Sequence, residues 1–504
     1  MAENLQQMAS IYANAYFTII ALDGNNANHG LTGLVSNTER RRYVQTILQL
    51  PGPAKALVRA PYERLNKPWH RRGWTFQERV VSPRCLAFQE GTMFWHCRQD
   101  KWWEEVAAEP EGIPKEECLI KAVLDNQHSL MLDPWPNDNC YWTLVGSYTK
   151  RTLTFETDAP RAFSAIIEVM SRAFPGGFHW GIPAFYFDMG LLWRNGSPLQ
   201  RREEFPSWSC IGWKGEIRPC HFGFHHNPKP SPGPGISGWD KPQTNLKWHV
   251  CKKLDGERTQ VNNSWHAYYA LGKNPSAALP HGWFCEEVEI LESIDGSSGD
   301  VADGEGNDKG NGEDEDEDDG EVDDDIKIST RRRFHHQLFG DSEAFAYPVP
   351  VTETPLGPFA DTWSPFLCFS TFRQHFIFSG SSFDPVPVYY ADRCLWINLQ
   401  SLSGTWAGIL ESNITMEADV LLLKGLTCET ILVSTEAVKR EFIPLITYTE
   451  MDFCDAIKPM QVYEFYNVLW IEWQDGIARR KAIGRVWKEA WDMQTSEKVD
   501  VILG

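Results

Sequence analysis

The 504-residue chain lacks the short motifs by which the common enzyme classes are recognised. It contains no phosphate-binding GxxxxGK[ST] loop, no GxSxG nucleophile turn, no HExxH zinc motif and no HRD catalytic loop. Cys-x-x-Cys pairs are also missing from its 12 scattered cysteines, which argues against a zinc ribbon and a disulfide framework. We therefore expect reduced thiols in a cytoplasmic protein, and no cofactor.

Long hydrophobic runs are absent as well. The N-terminal MAENLQQMAS has no apolar signal core, and the apolar run YFTIIAL at residues 16–22 is shorter than the roughly 20 residues that a spanning helix needs. The sequence therefore predicts no membrane span.

An excess of positive charge is missing too, because the formal net charge is -20. Fifteen Asp and Glu residues against one Lys lie between Asp300 and Asp325, so this stretch carries -14 and the rest of the chain -6. Without clustered Lys and Arg, the fold offers no footprint for nucleic acid. Because the acidic stretch has few apolar side chains to bury, we predict a disordered acidic insert over residues 293–330.

One cluster has the residue types of a metal site. The stretch CHFGFHH places Cys220, His221, His225 and His226 within seven residues. Gly and Pro loops surround it, and no second cysteine pair lies at finger spacing, so we favour a surface loop and predict no metal.

The chain is rich in aromatic residues, with 22 Trp and 27 Phe, and its patterns predict an α/β arrangement at the N-terminus. Apolar residues at helical spacing predict a helix over residues 3–15, and YFTIIAL then resembles a strand buried on both faces. RCLAFQ and TMFWHC, separated by two residues, predict a hairpin. Residues 138–172 predict a connector of two helices.

The second half of the chain is predicted to be β-rich. Strands are expected at WHAYYAL, WFCEEVEIL, PVPVYYADRCLWINL, ADVLLLKGL, TILVSTE and FIPLITYTEM. Apolar arms on both sides of Asp475 and Gly476 predict a second hairpin, within FYNVLWIEWQDGIARRKAIGRVW.

Two interpretations of Glu78 follow from its neighbours in RRGWTFQERVVSPRCLAF. Thr75-x-x-Glu78 matches a capping box, in which both side chains bond backbone amides at the start of a helix. Alternatively, Glu78 is a functional carboxylate held between Trp74, Arg72 and Arg79 at the end of a sheet, where open α/β sheets bind their ligands. The residues alone leave both interpretations open.

Three ordered blocks resemble the heterokaryon incompatibility (HET) domain of filamentous fungi. They are MASIYANAYFTIIALDG, GLTGL and RRGWTFQERVVSPRCLAFQEGTMFWHC, and later segments such as FPSWSCIGWKG resemble the tails attached to such domains. The SY.WG and WID..CI.Q blocks that open the family's domain have no counterpart. We therefore expect a HET domain that lacks its N-terminal part.

The resemblance implies non-self recognition and programmed cell death. HET domains are thought to be similar to Toll/interleukin-1 receptor domains, some of which cleave NAD with a Glu, and this makes Glu78 the candidate catalytic residue. The same comparison implies a ligand site whose residues match the family's segment and loop or flank them. These residues are Arg72, Trp74, Gln77, Arg79, Gly30 and Gly33.

The sequence therefore predicts three regions: a partial α/β HET domain over residues 1–105, with an open sheet like that of the Toll/interleukin-1 receptor domain; a helical connector over 106–185; and a β-rich C-terminal region over 186–504. The expected function is an effector or regulator of heterokaryon incompatibility that has a protein partner. The alternatives are an NAD glycohydrolase-type enzyme that uses Glu78, and a catalytically inert interaction module.

Overall fold

The fold was analysed in a computed structural model. The described residues are 8–24, 26–31, 46–49, 55–58, 67–89, 92–97, 101–104, 135–219, 239–292, 327–338, 344–345, 347–351, 362–382, 394–439 and 462–504. The α-helices of these residues are α1 Met8–Ala13, α2 Pro68–Arg71, α3 Trp74–Val81, α4 Asp138–Thr149, α5 Ala159–Met170, α6 Phe187–Gly190, α7 Trp265–Lys273, α8 Glu417–Leu423 and α9 Lys488–Asp492.

The strands fall into an N-terminal group, a set of short strands and a long C-terminal group. They are β1 Thr18–Ala21, β2 Thr46–Gln49, β3 Lys55–Val58, β4 Arg84–Gln89, β5 Thr92–Cys97, β6 Lys101–Trp103, β7 Phe178–His179, β8 Ile182–Pro183, β9 Arg194–Asn195, β10 Gln200–Arg201, β11 Trp213–Lys214, β12 Ile217–Arg218, β13 Trp239–Gln243, β14 His249–Cys251, β15 Thr259–Gln260, β16 Trp283–Glu292, β17 Lys327–His336, β18 Phe366–Ser382, β19 Trp396–Gln400, β20 Trp406–Glu411, β21 Thr427–Lys439, β22 Val462–Gln474, β23 Ile477–Trp487 and β24 Glu497–Leu503. The chain is therefore a mixed α/β protein whose C-terminal half is dominated by strands.

The N-terminal sheet has the order β1-β4-β5-β6. β1 runs parallel to β4, and the predicted hairpin is confirmed, because β4 pairs antiparallel with β5. In β1, Ile20 is buried whereas Ile19 is 55% exposed. Within the described residues, β1 is therefore covered on one face, and not on both as its continuous apolar run predicted.

Helices α1, α3, α4 and α5 pack together beside this sheet and bury an aromatic core. On α3, Phe76 and Val80 lie one turn apart and are both buried. The Phe76 ring stacks on Phe163 of α5 and lies 5.8 Å from Tyr148 of α4. The two predicted helices of residues 138–172 are thus confirmed, and their burial fixes one face of α3.

Six strands of the C-terminal half form a closed antiparallel sheet. The strands β21, β22, β23, β20, β19 and β18 are hydrogen-bonded in that order, and β18 pairs back with β21. Apolar side chains on these strands form a separate buried cluster, to which Val420 of α8 and Trp491 of α9 also belong. The hairpin at Asp475 and Gly476 is confirmed between β22 and β23, and both turn residues have the positive φ of a tight hairpin turn.

Two arginines join the segment around β9 to the closed sheet. Arg194, which is half-buried, lies 2.6 Å from the buried Glu411 of β20. Burial raises the pKa of the Glu411 carboxyl, and Arg194 opposes that shift. Arg480 of β23 donates to the carbonyl oxygen of Leu191. These contacts hold the short strands against the closed sheet.

Two predicted strands are wrong. WHAYYAL lies in helix α7, in which the buried residues Trp265 and Gly272 are about two turns apart on the same face. ADVLLLKGL begins in helix α8, and the chain turns at Gly425, whose φ is +85°. A short apolar run fits a strand or a helix equally well, and the contacts of its side chains with the core decide which of the two forms.

β16 and β17 pair over ten residues, from Trp283 opposite His336 to Glu292 opposite Lys327. The intervening residues 293–326 lie outside the described residues. The predicted disordered insert was set too long at its C-terminal end, because residues 327–330 belong to β17. The division into three regions stays a prediction, and the larger buried cluster includes residues from Ala9 to Leu503.

Candidate functional site around Glu78

The start of α3 is held in a tight corner against the segment after α4. The amide of Gly73 donates to the carbonyl of Thr152 at 2.8 Å, and the amide of Thr152 donates to the carbonyl of Arg71 at 2.6 Å. A Cβ on Gly73 would lie 2.5 Å from the Leu153 side chain, so a larger residue here would require that side chain to move. The corner sets the direction in which α3 leaves, and therefore where Glu78 lies.

The capping-box prediction for Thr75 and Glu78 is wrong. Helix α3 begins at Trp74 with Gly73 as its N-cap, and no side chain caps it. The Thr75 hydroxyl instead donates to the carbonyls of Trp69 and Arg72, at 2.6 and 2.9 Å. The Thr75 hydroxyl thus links α2 to α3 and does not cap α3. A capping box needs both side chains, so Glu78 does not belong to one.

Glu78 is half-buried on the side of α3 that faces α1. Burial raises the pKa of its carboxyl, and the Arg72 guanidinium opposes part of that shift. The charge of Glu78, added to burial, raises the pKa of Tyr12 on α1 to about 12. No hydrogen bond joins the Glu78 carboxylate to another described residue, so this carboxyl has capacity to bond a ligand.

Arg151 is a buried residue behind the corner before α3, and sequence reasoning missed it. It follows α4, donates to the carbonyl of Arg72 at 3.2 Å, and lies over the Phe76 ring at 4.7 Å. Burial and the nearby Arg79 lower the pKa of Arg151 to about 9. Its basic side chain is visible in YTKR, residues 148–151, but nothing local in the sequence linked it to α3.

The structure brings some of the predicted site residues together and separates others. Trp74 packs partly against the core, and Arg72 is exposed at the corner. Gln77 is turned into the protein at 1% exposure, and its side-chain oxygen accepts from the amide of Ala165 on α5 at 3.4 Å. Gln77 therefore contacts the helix pack, whereas Glu78 faces α1.

The remaining predicted positions lie elsewhere. Arg79 is partly exposed on the next position of α3, where its charge acts on Arg151 and on Cys85. Gly30 follows the short helix Ala27–His29 with a φ of +73°, a conformation that favours glycine. Gly33 lies outside the described residues.

The described residues hold no group of three or more His, Cys, Asp or Glu arranged to bind a metal ion. The Cys220, His221, His225 and His226 cluster falls outside that part of the chain. In the same part, no helix is both long and apolar enough to cross a bilayer.

Glu78, Tyr12 and Arg72 all lie in a segment of the chain that matches a protein family. Residues 1–78 match the family model described as heterokaryon incompatibility protein (HET), and the match ends at Glu78 itself. The chain thus contains a HET-family segment, as the sequence resemblance predicted. No curated protein and no solved structure matches the chain.

Proposed function

We propose that this protein is an effector or regulator of heterokaryon incompatibility, in which recognition of a non-self partner triggers programmed cell death. The match of residues 1–78 to the HET family supports the incompatibility role at family level. The observation that supports Glu78 as the site of this function is its half-buried carboxyl, which has Arg72 and Tyr12 as electrostatic neighbours and takes no part in a helix cap. The Toll/interleukin-1 receptor-like sheet remains part of this proposal.

A growth assay tests the effector role. The full chain is expressed from an inducible promoter in a filamentous fungus, beside Glu78→Gln and the control Glu168→Gln, which changes an exposed carboxylate on neighbouring α5. The proposal predicts growth arrest with the wild-type chain and with Glu168→Gln, and growth with Glu78→Gln at equal protein level. Equal growth of all three strains at full expression would remove the effector role.

A second candidate function is an NAD glycohydrolase-type activity that uses Glu78. It is favoured by the Glu78 carboxyl, whose pKa burial raises above its ordinary value, the direction that suits a group exchanging protons with a substrate. Arg72 is exposed beside it and suits a ligand phosphate, which a guanidinium binds through paired donors. In this activity, Glu78 would orient a hydroxyl or stabilise positive charge, and Arg72 would anchor the ligand phosphate.

Purified full-length protein, incubated with NAD, separates this activity from an inert module. Enzymatic cleavage predicts release of nicotinamide that Glu78→Gln abolishes and Glu168→Gln leaves unchanged, with both variants retaining the wild-type melting temperature within a few degrees. Release that persists in Glu78→Gln would assign the activity to another residue or a contaminant. Absence of release together with growth arrest in cells would favour action through a protein partner.

A further inference from the structure

Two cysteines that no sequence motif links lie side by side in the structure. The sulfur atoms of Cys251 on β14 and Cys368 on β18 are 3.5 Å apart, and both side chains are buried. Both residues are free thiols. A disulfide needs a sulfur separation of about 2.05 Å, so the pair has to close by about 1.5 Å.

The strand register places both thiols on one face of the sheet. His249 of β14 lies opposite Cys368, and Cys368 in turn lies opposite Ile502 of β24. Since side chains alternate along a strand, Cys251 shares the face of His249, two positions away. β14 has three residues and only β15 beyond it in the sheet order, so few pairings hold it in place.

A cavity of about 500 Å³ lies on the same face, and Cys368 is part of its lining. Its rim carries three exposed cations: Lys247 before β14, Arg258 before β15, and Lys498 on β24. The one carboxylate in the lining, Asp500, accepts a hydrogen bond from Ser370. The cavity is therefore positively charged at its rim and has a thiol in its wall.

We propose that Cys251 and Cys368 form a reversible disulfide, and that the cavity admits an anionic low-molecular-weight disulfide of the glutathione type as the oxidant. The Cys368 thiolate attacks one sulfur of the oxidant, and the first small thiolate leaves with the electron pair of the broken bond. The Cys251 thiolate then attacks the mixed disulfide at Cys368 and displaces the second small thiolate. The two protein thiols are oxidised by two electrons, the small disulfide is reduced to two thiols, and the two protons pass to those thiols.

The order of attack follows from the lining. Cys368 contributes to the cavity wall, whereas Cys251 is not among the lining residues and its sulfur lies next to that of Cys368. Burial raises the pKa of Cys368 to about 11, and the charge of Arg258 opposes part of the shift. His249, Lys247, Lys498 and Asp500 line the same cavity. The thiolate is scarce at pH 7, so exchange is slow there. The exchange rate should increase about tenfold for each unit by which the pH is raised towards the pKa.

The experiment treats the reduced full chain with oxidised glutathione, alkylates the remaining thiols and maps the peptides by mass spectrometry. We expect a linked Cys251–Cys368 peptide that a dithiol reductant separates again. In Cys251→Ser, a glutathione adduct should accumulate on Cys368, and in Cys368→Ser, Cys251 should stay unmodified. Cys428, a buried thiol of the closed sheet, serves as the matched position that should not react.

The role of the cations is tested with a second oxidant. Oxidised glutathione should react several-fold faster than the cationic disulfide cystamine, and Arg258→Ala should narrow that difference. If the linked peptide fails to form while the more exposed Cys97 and Cys285 are modified, the disulfide proposal is overturned. If cystamine reacts as fast as oxidised glutathione, the cavity is not the route of an anionic oxidant.

Discussion

The closed sheet contains a buried ion pair whose removal has a calculable cost. Arg485 of β23 donates to the Glu436 carboxylate of β21 at 2.9 Å, and the two side chains are 2% and 0% exposed. The same Glu436 oxygen accepts from Asn467 at 3.1 Å. Arg485→Met keeps most of the side-chain volume but leaves a buried carboxylate without its cation. Breaking such a pair from one side costs about 3–5 kcal/mol of unfolding free energy.

Urea unfolding followed by tryptophan fluorescence measures this loss. The double change Arg485→Met with Glu436→Leu removes both charges and should recover most of the lost stability. A loss below about 1 kcal/mol for Arg485→Met, or a double variant as unstable as the sum of both single variants, would refute the reasoning.

Further predictions concern the helix corner, a strand contact and the candidate site. Thr75→Val removes the hydroxyl that donates to two carbonyls and should cost about 1–3 kcal/mol, whereas Thr75→Ser should cost less; equal losses in thermal unfolding would contradict the donor role. Gly408→Ala places a Cβ against the Arg485 carbonyl and should lower the melting temperature far more than Gly404→Ala, whose Cβ meets nothing within 4 Å; similar melting curves would argue against this contact. Because the folded-state pKa of Glu78 is raised above 4.5, its contribution to stability is full below that pH and is lost as the pH rises. Glu78→Gln should therefore raise the melting temperature more at pH 7 than at pH 4, and no difference between the two pH values would count against a raised pKa.

Local patterns were sufficient for elements whose neighbours in space are also neighbours in sequence. The hairpin of β4 and β5 and the turn at Asp475 and Gly476 needed only a two-residue connection and apolar arms. Helix α5 was indicated by Pro160 near its first turn. In each case, the signal and the structure lie within about twenty residues.

Features that depend on distant contacts could not be predicted in this way. The pairing of β18 with β21 closes the six-stranded sheet, yet it joins Arg373 to Ile431 across a long stretch of chain. Helix α7 was mistaken for a strand because its aromatic residues favour β-structure, while the packing of Trp265 favours a helix.

The candidate site shows the same division. Trp74 and Glu78 were found by motif. Tyr12 lies near Glu78 through the packing of α1, and Arg151 bonds the Arg72 carbonyl at the corner that Thr152 helps to form. The capping-box motif was misleading because the Thr75 hydroxyl found carbonyl acceptors in the preceding turn. A motif fixes residue types, and the tertiary contacts decide which atom each side chain bonds.

Both proposed roles of Glu78 require a carboxyl held at a raised pKa beside Arg72 and Tyr12. The most direct test is a carbon-13 NMR titration of the glutamate side-chain carboxyls in the full-length protein, with the Glu78 signal assigned from its loss in Glu78→Gln. The account predicts a Glu78 midpoint above the ordinary value of 4.5, and a further rise in Arg72→Ala, which removes the opposing cation. A midpoint at or below 4.5 that Arg72→Ala leaves unchanged would contradict it.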